Sequence, residues 1–141
     1  MSAEIDLQLL KAARDAATRA YAPYSKFRVG AGLLMEGSDQ IFSGCNVENA
    51  SYGGTICAER VAITTAVAAG FQKIRILALT LPNVPAGADL ADRSPCGICR
   101  QVIHEFSDPE KTRILIDRGG EGKIEFDELT IGELLPFGFQ L

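Results

Sequence analysis

The spacing of apolar and polar residues in the first third of the chain predicts one helix followed by a β-hairpin. Apolar side chains recur at helical spacing over residues 4–21, which predicts an amphipathic helix that ends before Pro23. Residues 27–35 and 40–45 are rich in β-forming side chains. The turn-forming residues 36–39 separate these two runs, so we expect the two strands to pair as a hairpin.

The next part of the chain predicts two further helices around a buried strand. A run that is apolar on nearly every side predicts a central buried helix over 57–69. The apolar run 74–81 predicts a strand that is buried on both faces. Prolines, a glycine and no periodicity indicate an irregular loop over 82–94, and a helix is expected over 96–106.

The order of the elements predicts how the strands pair. The strands at 74–81 and 113–116 flank a helix, so they should run parallel through a right-handed crossover. A last strand at 123–126 follows the short link 117–122, which cannot hold a parallel crossover, and should therefore pair antiparallel. We predict an α/β protein with three α/β/α layers and a mixed five-stranded sheet, forming a single domain over residues 1–141.

Composition limits the partners and the location of the protein. The chain is 47% hydrophobic and 23% charged, which is ordinary for a globular protein. No apolar run approaches the roughly 18 residues that cross a bilayer, and the acidic start lacks a signal sequence. We therefore expect a cytoplasmic protein that does not associate with membranes. A net charge of -4 argues against binding to polymeric nucleic acid, which requires clustered cations.

The four cysteines are the clearest chemical feature of the chain. In a reducing compartment, metal binding or catalysis is a more common use of cysteine than a disulfide. Cys57 opens one predicted helix, and Cys96 and Cys99 lie one turn apart at the start of another. Three thiolates leave the fourth tetrahedral position of zinc open, as catalytic zinc sites do. We predict zinc bound by these three cysteines and interpret Cys45 as a small buried hydrophobe.

The residues around the cysteines strengthen this interpretation. The pattern Cys57-Ala58-Glu59, followed by Pro95-Cys96-Gly97-Ile98-Cys99, matches zinc deaminases, in which the glutamate is a general acid and base and not a ligand. Arg60 could donate hydrogen bonds to the thiolate sulfurs and offset their charge. On spacing alone, a solvated helix cation is an equally good interpretation of Arg60. His104 is expected to be a packing or surface residue.

Over nearly its whole length the sequence resembles the small homotetrameric class of bacterial-type cytidine deaminases. The motifs that carry the resemblance are YSKFRVGA (24–31), GCNVENASYG (44–53), CAER (57–60), SPCGICRQ (94–101) and LLP (134–136). The resemblance implies one zinc ion per subunit. It also implies hydrolysis of free cytidine and deoxycytidine to uridine or deoxyuridine and ammonia, as in pyrimidine salvage.

The resemblance also implies roles for individual residues. Asn46 and Glu48 would hold the ribose hydroxyls, Phe27 would pack against the pyrimidine, and the backbone N–H of Ala58 would bind the base carbonyl. A water activated by zinc would attack C4 of cytosine, with Glu59 as the catalytic residue that moves the protons.

A homotetramer with active sites shared between subunits follows from the same resemblance. The resemblance implies that Tyr52 supports the substrate site from across a subunit boundary. The family pattern Leu-Leu-Pro-x-x-Phe selects Phe139 as an aromatic that enters a neighbour's site. Phe137 is an alternative, because this chain has two phenylalanines after Pro136.

Three other functions are also consistent with the cysteine pattern. A related deaminase of another aminopyrimidine, such as blasticidin S, uses similar cysteine ligands. A zinc ion that only stabilises a binding domain would require a fourth protein ligand. A redox function for Cys96 and Cys99 would predict a reversible disulfide and no stoichiometric metal.

Overall fold

The computed structural model describes residues 3–141. In chain order its elements are α1 (Ala3–Ala17), β1 (Gly30–Met35), β2 (Ile41–Cys45), a 3-10 helix (Tyr52–Gly54), α2 (Ala58–Ala68), β3 (Ile74–Thr80), α3 (Leu90–Arg93), α4 (Gly97–Glu105), β4 (Arg113–Asp117), β5 (Phe126–Thr130) and α5 (Ile131–Leu134). The strands form one sheet in the order β2-β1-β3-β4-β5. Only β3 and β4 pair in parallel, and the other neighbours are antiparallel. This confirms the mixed five-stranded sheet and its predicted pairing.

Helix α1 covers one face of the sheet, and α2 and α4 cover the other, as the three-layer prediction requires. Under α1, a buried cluster joins Leu9, Leu10 and Ala13 to residues of β1, β3 and β4. The cluster on the opposite face includes Ala62, Ile63, Ile103, Leu33, Leu77 and Ile114. Removal of these aliphatic side chains from water on both faces is the main driving force for the fold.

Three glycines of the sheet, Gly30, Gly32 and Gly44, lie so close to a helix that no larger residue fits. A Cβ atom at Gly32 would lie 2.4 Å from the carbonyl oxygen of Leu9 in α1. A Cβ atom at Gly44 would lie 2.7 Å from the carbonyl oxygen of Ala58 in α2. The first turn of α2 is therefore held directly against β2.

The first helix is shorter than predicted and ends at Ala17, because the chain tightens into a turn over the next three residues. The backbone N–H groups of Thr18 and Ala20 donate to carbonyls three residues earlier. The Arg28 guanidinium donates to the Thr18 carbonyl at 2.8 Å. A cation at this end stabilises carbonyls that have no partner within the helix.

The last strand begins at Phe126, three residues later than predicted. Gly119, Gly120 and Gly122 all adopt positive φ angles between 77° and 88°. These left-handed positions are the ones that glycine tolerates, and they lengthen the turn between β4 and β5. Pairing of the two strands starts where Asp117 lies opposite Phe126.

Helix α2 is less enclosed than its apolar sequence predicts. Thr64, Thr65 and Ala68 are exposed, so the prediction of burial on nearly every side was wrong for this chain. The hydroxyl groups of Thr64 and Thr65 each donate to a carbonyl one turn earlier, at 2.7 Å. A sequence pattern that counts small residues as apolar does not distinguish this outer face.

The predicted loop 82–94 is irregular except for the short helix α3. Its buried Arg93 donates to the carbonyl of Ala88 at 2.9 Å and to the carboxylate of Asp127 at 3.0 Å. These bonds tie the loop to β5. Across the described residues, no helix combines the length and apolar character needed to cross a bilayer.

Candidate active site

Three cysteine sulfurs converge where α2 and α4 begin. Cys57 and Cys96 are the N-cap residues of these helices, and Cys99 lies in the first turn of α4. The three Sγ atoms lie within 4.8 Å of one another, and those of Cys57 and Cys96 are 3.9 Å apart. Two sulfurs bound at about 2.3 Å to one tetrahedral zinc ion are about 3.8 Å apart. The cluster therefore fits zinc.

The surroundings favour the thiolate form of Cys57, whereas the hydrogen bond to Cys57 and burial raise the pKa of Cys99. A hydrogen bond from the Cys99 thiol and another from Arg60 lower the pKa of Cys57 to about 5, although burial acts in the opposite direction. The Arg60 Nη2 atom lies 3.4 Å from the Cys57 sulfur. The N-termini of α2 and α4 also carry partial positive charge toward the cluster.

No fourth histidine, cysteine, aspartate or glutamate joins this cluster within residues 3–141. Structural zinc sites are closed by four protein ligands, whereas catalytic sites keep one position open. The arrangement therefore favours a catalytic site. All four cysteines are free thiols, and Cys96 is exposed.

Glu59 lies next to the cluster but is not part of it. It is 4% exposed, and burial raises its pKa to about 7, with a further contribution from the charge of Cys57. A carboxyl group in this environment can exchange a proton near neutral pH. Its position two residues after Cys57 places it on the first turn of α2.

A cavity of about 410 Å³ opens beside the cysteines. Six predicted site residues contribute to its lining: Phe27, Asn46, Glu48, Cys57, Glu59 and Cys96. The charged side chains in the lining are Glu48, Glu59 and Asp92, so no lysine or arginine among the described residues contributes to it. The cavity thus combines a metal-binding end with an acidic and apolar wall.

The side chains of Asn46 and Glu48 already hold the chain segment that carries Phe27. Asn46 is 8% exposed; its Oδ1 atom accepts from the Val29 N–H and its Nδ2 atom donates to the Phe27 carbonyl, both at 2.8 Å. One Glu48 oxygen accepts from the N–H groups of Tyr24 and Ser25. Both residues therefore have a structural function in addition to any contact with substrate.

Two predicted aromatic residues of the site lie outside the main cavity. Tyr52 lines an adjoining depression, is 78% exposed and makes an edge contact with the ring of Tyr24. Phe139 is 65% exposed and lies with His104 beside the C-terminal end of α4. Within one chain, neither ring reaches the cysteines.

The structure also gives the positions of Ala58, Cys45 and His104, which the sequence analysis had interpreted individually. Ala58 is fully buried and begins α2, so its backbone N–H has no acceptor within the helix. Cys45 ends β2 and is only half-buried, so its interpretation as a small buried hydrophobe was wrong. His104 packs against Gly138, where a Cβ atom would lie 2.6 Å from its ring.

Several cavity residues were missed by the sequence analysis. Ser25, Thr55, Leu79, Leu81 and Asp92 also contribute to the lining. Ser25 lies two residues before Phe27 in the YSKFRVGA motif (24–31), so its closeness to Phe27 along the chain could have indicated that it lines the cavity. Asp92 lies in the short helix α3, within the stretch predicted as an irregular loop, where the local sequence pattern gives no indication of a site.

A family model described as the cytidine and deoxycytidylate deaminase zinc-binding region matches residues 3–115, which is most of the chain. The chain belongs to this family. Membership in the cytidine and deoxycytidylate deaminase family makes it a zinc-dependent hydrolase, in agreement with the three-cysteine cluster.

Individual members of the deaminase family are similar to this chain over almost its full length. It is 41% identical over 132 residues to the cytidine deaminase of Sporosarcina psychrophila, covering 94% of this chain and 89% of that protein. It is 41% identical over 134 residues to the cytidine deaminase of Halalkalibacterium halodurans, covering 93% and 91%. The crystal structure of cytidine deaminase from Burkholderia pseudomallei superimposes with a TM-score of 0.78 at 38% identity, covering 94% and 98%.

Proposed function

We propose that this protein hydrolyses cytidine and deoxycytidine to uridine and deoxyuridine, releasing ammonia. The observation that carries the proposal is the three-cysteine cluster with no fourth protein ligand within residues 3–141, placed beside a buried glutamate in a cavity. Two comparisons support the same reaction: the similarity to proteins named cytidine deaminase, and the similarity to a solved cytidine deaminase structure.

The cysteines and Glu59 have separate functions in this proposal. Cys57, Cys96 and Cys99 would hold zinc, which would supply Lewis acidity that lowers the pKa of water toward neutrality. The Glu59 carboxylate accepts a proton from water and passes it to N3 of the base; it then accepts the second proton, from the new C4 hydroxyl group, and passes it to the departing amino group. The water oxygen bonds to C4, the C4–N bond breaks, and ammonia leaves.

The rest of the cavity holds the nucleoside. Phe27 packs against the pyrimidine ring, and the free N–H of Ala58 donates to the base carbonyl. Asn46 and Glu48 each retain unused hydrogen-bonding capacity beyond their backbone partners. That capacity binds a sugar hydroxyl that ribose and deoxyribose share, and a site built in this way rejects nucleoside analogues that lack it.

The charge of the cavity favours a free nucleoside over a nucleotide. Glu48, Glu59 and Asp92 are the charged side chains of the lining. A phosphate group requires cationic or N–H donors to offset its charge, and acidic neighbours repel it. The proposed substrate is therefore uncharged.

We also propose a cytoplasmic homotetramer that acts in pyrimidine salvage, with active sites shared between single-domain subunits. Phe137 and Phe139 are 97% and 65% exposed. The backbone of Phe139 makes two hydrogen bonds with the Gln101 side chain, at 2.9 and 3.1 Å. This anchoring supports an aromatic group that projects toward a neighbour, in the position the resemblance assigns to Phe139. Tyr52 would complete the shared site.

The reaction is tested with purified protein of measured zinc content. Cytidine and deoxycytidine should lose their characteristic absorbance and release one ammonia per turnover. The monophosphates and blasticidin S should react at least about 100-fold more slowly in kcat/KM. Zinc-loaded protein that releases no ammonia from either nucleoside, or that prefers blasticidin S, would contradict the proposal.

The assembly is tested by light scattering, which should give the mass of four chains. Phe139→Ala should lower activity toward cytidine more than Phe137→Ala does. A stable monomer with full activity would contradict the shared site.

A further inference from the structure

The segment that carries Phe27 has no helix or strand to support its backbone. It spans residues 24–29, between α1 and β1. Side chains accept hydrogen bonds from nearly all of its N–H groups: Tyr24 and Ser25 donate to Glu48, Phe27 to Ser25, Arg28 to Asn83 and Val29 to Asn46. The segment is therefore positioned by a small set of side chains.

One residue of this segment adopts a backbone conformation that requires support. Lys26 has a φ angle of 60°, in the left-handed region that favours glycine. Its N–H donates to the Ala22 carbonyl at 3.0 Å. The turn directly before Phe27 therefore depends on contacts from its surroundings to keep its shape.

The peptide bond that follows Phe27 is held at both ends. Its carbonyl oxygen accepts from Asn46 Nδ2 at 2.8 Å, and its N–H, which belongs to Arg28, donates to Asn83 Oδ1 at 2.7 Å. A peptide group is planar, so holding its oxygen and its hydrogen fixes the orientation of the whole plane. The preceding N–H, that of Phe27, donates to Ser25 Oγ at 3.0 Å.

Asn83 differs from the other supporting residues because it comes from a distant part of the chain. It lies in the loop after β3, is separated from Arg28 by 55 positions and is exposed. It is absent from the residues that line the cavity. Any effect of Asn83 on the reaction must therefore pass through the backbone that it holds.

We propose that Asn83 is a positioning residue that sets the orientation of Phe27 by holding the Phe27–Arg28 peptide from the side opposite Asn46. This inference rests on the proposed function, in which Phe27 packs against the pyrimidine. Only the oxygen of the Asn83 side chain takes part in the bond, so aspartate preserves the contact and alanine removes it.

The test compares Asn83→Ala, Asn83→Asp and Phe27→Ala, each with zinc content and melting temperature measured. Asn83→Ala should raise KM for cytidine about 3- to 10-fold, with kcat within about twofold of wild type, because substrate placement is loosened while Glu59 and the cysteines stay in place. Asn83→Asp should behave as wild type. The control is Ser38→Ala, which removes a 3.0 Å bond from the Gln40 N–H in the β1–β2 turn and should leave KM unchanged.

A double-mutant cycle separates positioning from general stabilisation. In the Phe27→Ala background, adding Asn83→Ala should cause little further loss of kcat/KM, because the ring that Asn83 orients is gone. Wild-type KM in Asn83→Ala, or an undiminished effect in the Phe27→Ala background, would overturn the inference. A wild-type protein that does not deaminate cytidine would instead overturn the proposed function.

Discussion

Arg60 and Cys57 are joined by a hydrogen bond of 3.4 Å from Nη2 to Sγ across the first turn of α2. Three thiolates on one divalent cation leave a net charge of about -1, which opposes the loss of a proton from water at the site. A guanidinium group against one sulfur offsets part of that charge. The contact supports the assignment of Arg60 that spacing alone left undecided.

Arg60→Ala should therefore lower kcat/KM for cytidine about 10- to 100-fold, the usual effect of removing a partner of a metal ligand. Zinc content and steady-state rates are measured together. Arg19→Ala is a matched control, because Arg19 is an exposed cation after the end of α1 that pairs with Asp15. Equal activity in both variants would show that Arg60 is a solvated cation after all.

Replacement of one cluster cysteine should abolish zinc binding. Cys96→Ala leaves two thiol ligands and should lose most of its zinc, with activity falling in proportion. Cys45→Ala is the control, because Cys45 lies outside the cluster and should keep both properties. Metal content by mass spectrometry decides the result. Isolation of active, metal-free protein with a Cys96–Cys99 disulfide would favour the redox hypothesis instead.

Glu59→Gln should separate metal binding from proton transfer. Glutamine has nearly the same shape but cannot exchange a proton, so zinc should remain bound while kcat falls about 10²- to 10⁴-fold. Glu105→Gln, at an exposed position on α4, should retain full activity. The assignment fails if the Glu59 variant turns over cytidine at the wild-type rate.

The close packing of Gly44 under α2 should be needed for the metal site as well as the fold. A Cβ atom there would lie 2.6 Å from the Ala62 nitrogen and 2.7 Å from the Ala58 oxygen. Gly44→Ala should therefore displace the first turn of α2, cost about 1–3 kcal/mol of stability and weaken zinc binding. Gly53→Ala meets nothing within 4 Å and should be neutral. Thermal unfolding and zinc titration test both variants.

Much of the fold was predictable because local patterns determine it. The apolar runs predicted the sheet and its pairing. The helices predicted over 57–69 and 96–106 begin within one residue of α2 and α4, where Cys57 and Cys96 are N-caps. The late start of β5 was missed because three glycines with positive φ angles extend a turn that sequence spacing alone does not measure.

The cavity was predictable only in part. Phe27, Asn46 and Glu48 were selected by resemblance, and all three line it. That Asn46 and Glu48 hold the backbone around Phe27 depends on pairs of residues about 20 positions apart, which no local periodicity encodes. The contact of Asn83 was even less predictable from the sequence, because its bond to the Arg28 N–H joins two segments separated by 55 positions.

The Asp117 side chain is the centre of a buried polar network at the end of β4. Its carboxylate, 1% exposed, accepts two hydrogen bonds from Arg14, at 2.7 and 2.9 Å. The Thr80 hydroxyl donates to it at 2.8 Å, and the Gly119 N–H at 2.9 Å. Burial alone would raise the pKa of Asp117, but the bonds from Arg14, Gly119 and Thr80 outweigh burial and lower it.

Stability should therefore decrease as acid protonates Asp117. Since the folded-state pKa lies below the value of about 3.9 in an unfolded chain, the stabilisation is complete above pH 5 and is lost as the pH falls through the folded pKa. Asp117→Asn should lose about 1.5–3 kcal/mol at pH 7, because charge-assisted bonds to Arg14 are weakened. Its stability should then change less than that of wild type between pH 5 and pH 3. Asp15→Asn, which changes an exposed carboxylate, is the control and should follow the wild-type pH dependence. The free energy of unfolding is measured with urea at each pH. If it changes with pH in the same way for wild type and Asp117→Asn, other carboxylates cause the acid sensitivity.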